Sequence, residues 1–129
     1  MDKWTLINVY DSTVGGGDYS QCEYCGHEKI RWVHVMRNNE NNELINFGCV
    51  CADKVTGTQF NSSIEKFMKL KWIETKKGIR KTYKCFDLLI YFKDGVYKCK
   101  IDNEWGKLKY KNIQSAKIGM FRRLRQLMS

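Results

Sequence analysis

Apolar and polar residues alternate with a period of two along much of this chain, and the alternation predicts mostly strands. Residues 4–10 read as a strand, with Trp4, Leu6 and Val9 seeking cover. Residues 11–20 follow as a loop containing Gly15-Gly16-Gly17, read as a hinge; no GxxxxGK[ST] phosphate loop is present. Residues 30–36 predict a second strand, with Val33 and Val35 alternating against Arg31 and His34. The polar run Asn38-Asn39-Glu40-Asn41-Asn42 predicts a turn, because asparagine tolerates left-handed backbone. Leu44, Ile45 and Phe47 then form the returning strand of a hairpin.

The pattern changes to helical spacing twice before it alternates again. One helix is expected to begin near residue 49 and to fade at Gly57. Another has Asn61 or Ser62 as its cap and Ile64, Phe67, Met68 and Leu70 along one face, with Gly78 breaking the chain after it. Strands follow at residues 80–86, 87–93, 96–102 and 107–111. The Asp94-Gly95 pair is a tight hairpin turn and residues 103–106 form another turn. A last helix over 113–127 carries Ala116, Met120, Phe121, Leu124 and Leu127 on one face, with Lys117, Arg122 and Arg125 away from it. Parity divides these strands into an apolar face (Tyr83, Cys85, Leu88, Ile90, Phe92, Tyr97, Cys99, Ile101, Leu108, Tyr110) and a lysine-rich one. The last helix has the right stripe to cover the apolar face. Cys85 and Cys99 are expected there as small core residues.

Composition admits a core: 43% of the 129 residues are hydrophobic. No apolar run reaches the roughly 20 residues of a membrane span, so a membrane is not expected as a partner. The first residues lack the charged-then-apolar order of a signal peptide, and the expected location is the cytoplasm. The net charge of +9 is unevenly distributed. Residues 1–60 hold five Lys and Arg against eight Asp and Glu, a net of −3; residues 61–129 carry +12. A basic half of this kind suits a polyanion, or an acidic protein partner.

Six cysteines in an intracellular chain suggest thiols and metal before disulfides. Cys22 and Cys25 stand in a C-x2-C pair followed by Gly26, which lets one tight turn offer two thiolates to one ion. Cys49 and Cys51 form a second pair after the hairpin. Four thiolates at about 2.3 Å suit one zinc ion and leave no open position, so the expected role is structural. Residues two apart on a helix point about 200° apart, so Cys49 and Cys51 must straddle a strand-to-helix junction. His27 or His34 is the alternative ligand.

The run Cys22-Glu23-Tyr24-Cys25-Gly26-His27, the hairpin, and Gly48-Cys49-Val50-Cys51-Ala52 opening a helix resemble treble-clef or zinc-ribbon modules. They also resemble small uncharacterised bacterial and phage proteins with a CxxCGH…GCxCA pattern. The resemblance implies a zinc scaffold and no particular activity. Trp72, Gly78, Tyr83, Gly95, Tyr97, Tyr110, Ala116, Lys117 and Phe121 are similar in spacing to AP2-type and integrase-arm DNA-binding sheets. That likeness implies a sheet face laid against nucleic acid.

The expected fold class is therefore α+β: a zinc-bound β-hairpin module (1–60), treble-clef-like, joined to a small antiparallel sheet backed by a C-terminal helix (61–129). The expected function is DNA or RNA binding, with Arg80, Lys98, Lys100, Lys107, Lys109 and Lys111 on phosphates and Arg122, Arg123 and Arg125 extending the footprint. Lysine neutralises phosphate well and reads bases less well. Trp32, Trp72 and Trp105 are candidates to stack on bases. The alternative is a protein-binding adaptor or inhibitor, such as a phage-encoded factor acting on a host nucleic-acid-handling protein. No nucleophile motif and no H-x-E beside the cysteines is present, so neither enzymatic activity nor a small-molecule substrate is expected.

Overall fold

The computed structural model describes residues 3–128. Among these residues it is α+β, with two antiparallel sheets and three α-helices. The chain divides into two units, one ending at Met68 and the other beginning at Lys69. No helix among the described residues is long and apolar enough to cross a membrane.

The first unit is a three-stranded sheet in the order β1-β2-β3 (Trp4–Asp11, Trp32–Asn38, Leu44–Phe47), followed by helices α1 (Cys49–Thr56) and α2 (Phe60–Met68). A bulge at Ile7 shifts the register from Leu6↔Met36 to Asn8↔Val35. It resets the parity of β1, which is why Leu6 and Val9, three apart, are both buried; Trp4, before the bulge, is half-buried. His34 is fully buried, although alternation against Val33 predicts an outward side chain. The reason is position: β2 is the central strand, and Val33 and His34 are covered on opposite faces of it. His34 Nδ1 lies 3.1 Å from Asn61 Oδ1 on α2. Asn61 is thus a buried partner of His34 and not the expected helix cap. The start of α2 is capped from α1: Asp53 Oδ1 accepts from Asn61 N at 2.8 Å and Oδ2 from Ser62 N at 3.2 Å. These ties place α2 in the first unit, so the division falls after it and not at residue 60. Glu65 and Lys66 cancel, and the shift leaves both net charges unchanged.

The second unit is a five-stranded meander in the order β4-β5-β6-β7-β8 (Ile73–Thr75, Gly78–Tyr83, Phe86–Lys93, Val96–Ile101, Glu104–Tyr110) with helix α3 (Ile113–Met128). Two-residue turns join every pair of neighbours. The Asp94-Gly95 turn has φ of 54° and 78°, the left-handed pair that this hairpin type requires. Ala116, Ile118, Met120, Phe121 and Leu124 of α3 are buried with Leu88, Ile90, Cys99 and Ile101 of the sheet. Cys99 Sγ lies 3.4 Å from the Ala116 carbonyl, and α3 packs on β7 and β8. Gly119 allows the approach: a Cβ there would stand 2.0 Å from Tyr110 Oη.

Several expectations are corrected by the turns and a second irregularity. The short strand β4 was not expected. The β5–β6 turn falls at Lys84 and Cys85, so Cys85 is exposed and only Cys99 belongs to the core. Between β7 and β8 the register moves from Lys98↔Lys109 to Lys100↔Trp105. Gly106, Lys107 and Leu108 are therefore accommodated opposite Cys99 alone, and Leu108 is 67% exposed instead of facing the core. Phe92, near the end of β6, and Leu127, in the last turn of α3, are also exposed.

Candidate metal centre and basic sheet face

The segment before β2 has little regular structure and is held by individual bonds. Ser20 and Ile30 bridge through two 2.8 Å hydrogen bonds, bringing both ends of the knuckle together. Within it, Gly26 N donates to the Cys22 carbonyl and Cys22 N to the His27 carbonyl. Gly26 has φ of 79°, a conformation that a side chain resists, and this reverses the chain after Cys25. Glu23 ties the knuckle to β3: its N–H donates to the Asn46 carbonyl at 2.9 Å, and its carboxylate accepts from Asn46 N at 2.6 Å.

This tethering brings the thiols of Cys22, Cys25 and Cys51 together, all within 4.8 Å of one another. Sulfurs around a tetrahedral zinc stand about 3.8 Å apart, so a small contraction closes the group on an ion. The donors fit a thiophilic metal. Burial pushes the Cys22 thiol up, but N–H groups of Gly48, Cys25 and Tyr24 and the Cys25 side chain outweigh it and hold the pKa below the ordinary range. The first turn of α1 adds a positive dipole end, which favours thiolate. Cys51 is pushed up to about 12, first by burial and then by hydrogen bonds to Cys25 and Cys22 and by their charge. Cys51, whose ionisation its two neighbours oppose, stands in an electrostatic environment that a bound cation would relieve.

Cys49 is not part of this group. Helix α1 starts at Cys49 itself, with Gly48 as its extended cap, so both cysteines of the second pair are helical and project to different sides. The Cys49 pKa is raised, by burial first and then by the charge and hydrogen bond of Glu65; Ser62 also bonds it. Neither histidine joins the group. His27 is exposed, and His34 is enclosed by Asn61 and by Glu65, whose Oε1 is 3.4 Å from Nε2.

The outer face of the five-stranded sheet, opposite α3, is defined by its register. One cross-strand row runs Ile73, Arg80, Leu89, Lys100, Trp105. The next runs Thr75, Gly78, Tyr91, Lys98, Lys109. Arg80, Lys98, Lys100 and Lys109 are thus brought together. Lys107 falls in the irregular stretch and Lys111 beyond the end of β8. Arg122, Arg123 and Arg125 lie on α3, exposed, across the sheet from these rows; Arg125 stacks on Phe121 and Arg123 bonds Gln126.

The rows also contain aromatic residues that strand periodicity had not joined. Tyr91 and Trp105 meet edge to face with centroids 5.9 Å apart. Lys77 Nζ lies 5.7 Å from the Tyr91 ring and Lys100 Nζ 5.6 Å from the Trp105 ring. Trp72, in contrast, is half-buried under Lys117, whose pKa burial lowers. Trp32 is half-buried in β2.

Comparison of the chain with protein-family models, curated proteins and solved structures gave no match.

Proposed function

We propose that this is a small non-enzymatic protein of the cytoplasm that binds nucleic acid through the outer face of its five-stranded sheet and carries one structural zinc ion. The observation that carries the reading is the composition of the two rows: four cations, two aromatic rings and no carboxylate. Lys98 and Lys109 are directly opposed, and like charges so placed repel. A phosphate backbone relieves that repulsion and releases its own counterions. The +12 charge of residues 61–129 supports the same partner. Zinc is supported by the three grouped thiols and by the order of knuckle, hairpin and helix, with Cys51 in the first helical turn, which is the treble-clef order.

The test is a salt-titrated binding assay with the zinc-loaded protein. Four phosphate contacts give a log–log slope of about −3 to −4. Arg80→Glu with Lys98→Glu and Lys109→Glu is expected to abolish binding with the melting temperature retained. Wild-type protein that binds neither DNA nor RNA at low salt overturns the reading and leaves an acidic protein as the partner chemistry.

A further inference from the structure

We infer that the strand bound on this face is single, with its bases stacked on Trp105 and Tyr91. The inference rests on the nucleic-acid reading above and specifies its substrate class. Phosphate attraction alone requires cations and no rings. Here the rings stand among the cations: Trp105 ends the row of Arg80 and Lys100, and Tyr91 lies between Gly78 and Lys98 in the other. Strands β6 and β8 are separated by β7, so their backbones lie roughly 10 Å apart. The two rings nevertheless meet edge to face at 5.9 Å, on the face that also carries Lys98 and Lys100 of β7.

Such an arrangement is costly to leave in water. Trp105 is 49% exposed, Ile73 is 59% exposed, and Leu89 is half-buried between Arg80 and Lys100 in the same row. A duplex offers this surface phosphates and base edges, but its base faces are already stacked on one another. A single strand offers free base faces and phosphates alternately along one chain, which matches rings flanked by cations. Lys77 and Lys100, each close to one ring, keep positive charge beside the stacking position. Lysine and aromatic rings together tolerate any base, so weak sequence preference is expected.

The experiment compares one short oligonucleotide, as DNA and as RNA, with the duplex formed from it, at matched salt and with zinc-loaded protein. The single strands are expected to bind at least tenfold more tightly than the duplex. Trp105→Leu is expected to weaken the single strand by roughly five- to 150-fold while leaving the salt slope unchanged. Trp105 lies on the edge strand, where only Tyr110 is not exposed, so the substitution removes little core. Trp105→Phe keeps a ring, and is expected to retain most of the affinity while losing the indole quenching that binding produces. A duplex that binds as well as the single strand, or a Trp105→Leu variant of wild-type affinity, overturns the stacking inference and leaves the basic face as a nucleic-acid site. Absence of binding to every oligonucleotide overturns both.

Discussion

The two units solve the same problem, burying the apolar residues of a small sheet, by different means. In the second, neighbouring strands are also neighbours in sequence, two-residue turns connect them, and one amphipathic helix closes the face. In the first, the residues between β1 and β2 lack such pairing, and order comes from contacts between distant positions: Ser20 with Ile30, Glu23 with Asn46, Cys22 and Cys25 with Cys51. The difference teaches where a metal matters. Leu6, Val9, Met36, Phe47, Ile64 and Phe67 give the first unit a core of its own, so an ion held by the thiols would organise the knuckle and the entry to α1 more than the sheet.

The largest effect that sharpens this contrast is removal of a thiol. Cys51→Ser is expected to lose the metal and, in hydrogen exchange, amide protection across residues 20–30 and the start of α1. Residues 69–128 keep theirs. Apparent zinc-binding free energies of about 10 kcal/mol or more set the scale. Cys49→Ser is expected to retain the metal in elemental analysis, because Cys49 stands outside the group. Equal loss of metal in both variants would restore Cys49 as a ligand.

Gly119→Ala probes the other unit. The added methyl would collide with the Tyr110 hydroxyl and ring, an overpacking worth about 1–3 kcal/mol in denaturant unfolding. In a Tyr110→Ala background the same substitution is expected to be neutral or stabilising, by up to about 1 kcal/mol of helix propensity. A cost that persists there would show that the Gly119–Tyr110 contact is not what closes α3 on the sheet.

Asp53→Ala tests whether α2 belongs to the first unit by its cap. Loss of the hydrogen bonds to Asn61 N and Ser62 N is expected to destabilise the first unit by about 1–2 kcal/mol, seen as faster exchange in α2.

The smallest effect concerns pH. Burial raises the Asp11 carboxyl, but bonds from Thr13 and the Arg31 guanidinium at 2.9 Å outweigh it and leave the pKa below the ordinary value. A carboxylate lowered on folding stabilises the protein above its unfolded pKa, and that contribution is lost as pH falls through the folded value. Arg31 is largely exposed, so the contribution is below about 1 kcal/mol. Asp11→Asn is expected to flatten the stability of the first unit between neutral and acid pH by that amount. An unchanged profile would show that this pair adds nothing to the β1–β2 end of the sheet.

The contrast also separates what was legible in the residues from what was not. Period and turn chemistry are local, and by themselves they determined the hairpin around Asn38–Asn42, the helix from the second cysteine pair to Gly57, the Asp94-Gly95 turn, the last helix and its buried stripe, and the asymmetry of charge. They also singled out Cys22, Cys25 and Cys51, which the fold brings together. Tertiary structure decided the rest. Parity runs only as far as the ladder is regular, so the bulge at Ile7 put Val9 on the same face as Leu6, and the slip opposite Cys99 turned Leu108 outward and left Lys107 outside the two rows. A turn placed at Lys84 and Cys85 took Cys85 from the core to the surface. The starting residue of α1 turned Cys49 toward Glu65 and away from its three companions. Register, which depends on hydrogen bonds between strands and not on the pattern along any one of them, set Tyr91 and Trp105 in contact within a field of lysine.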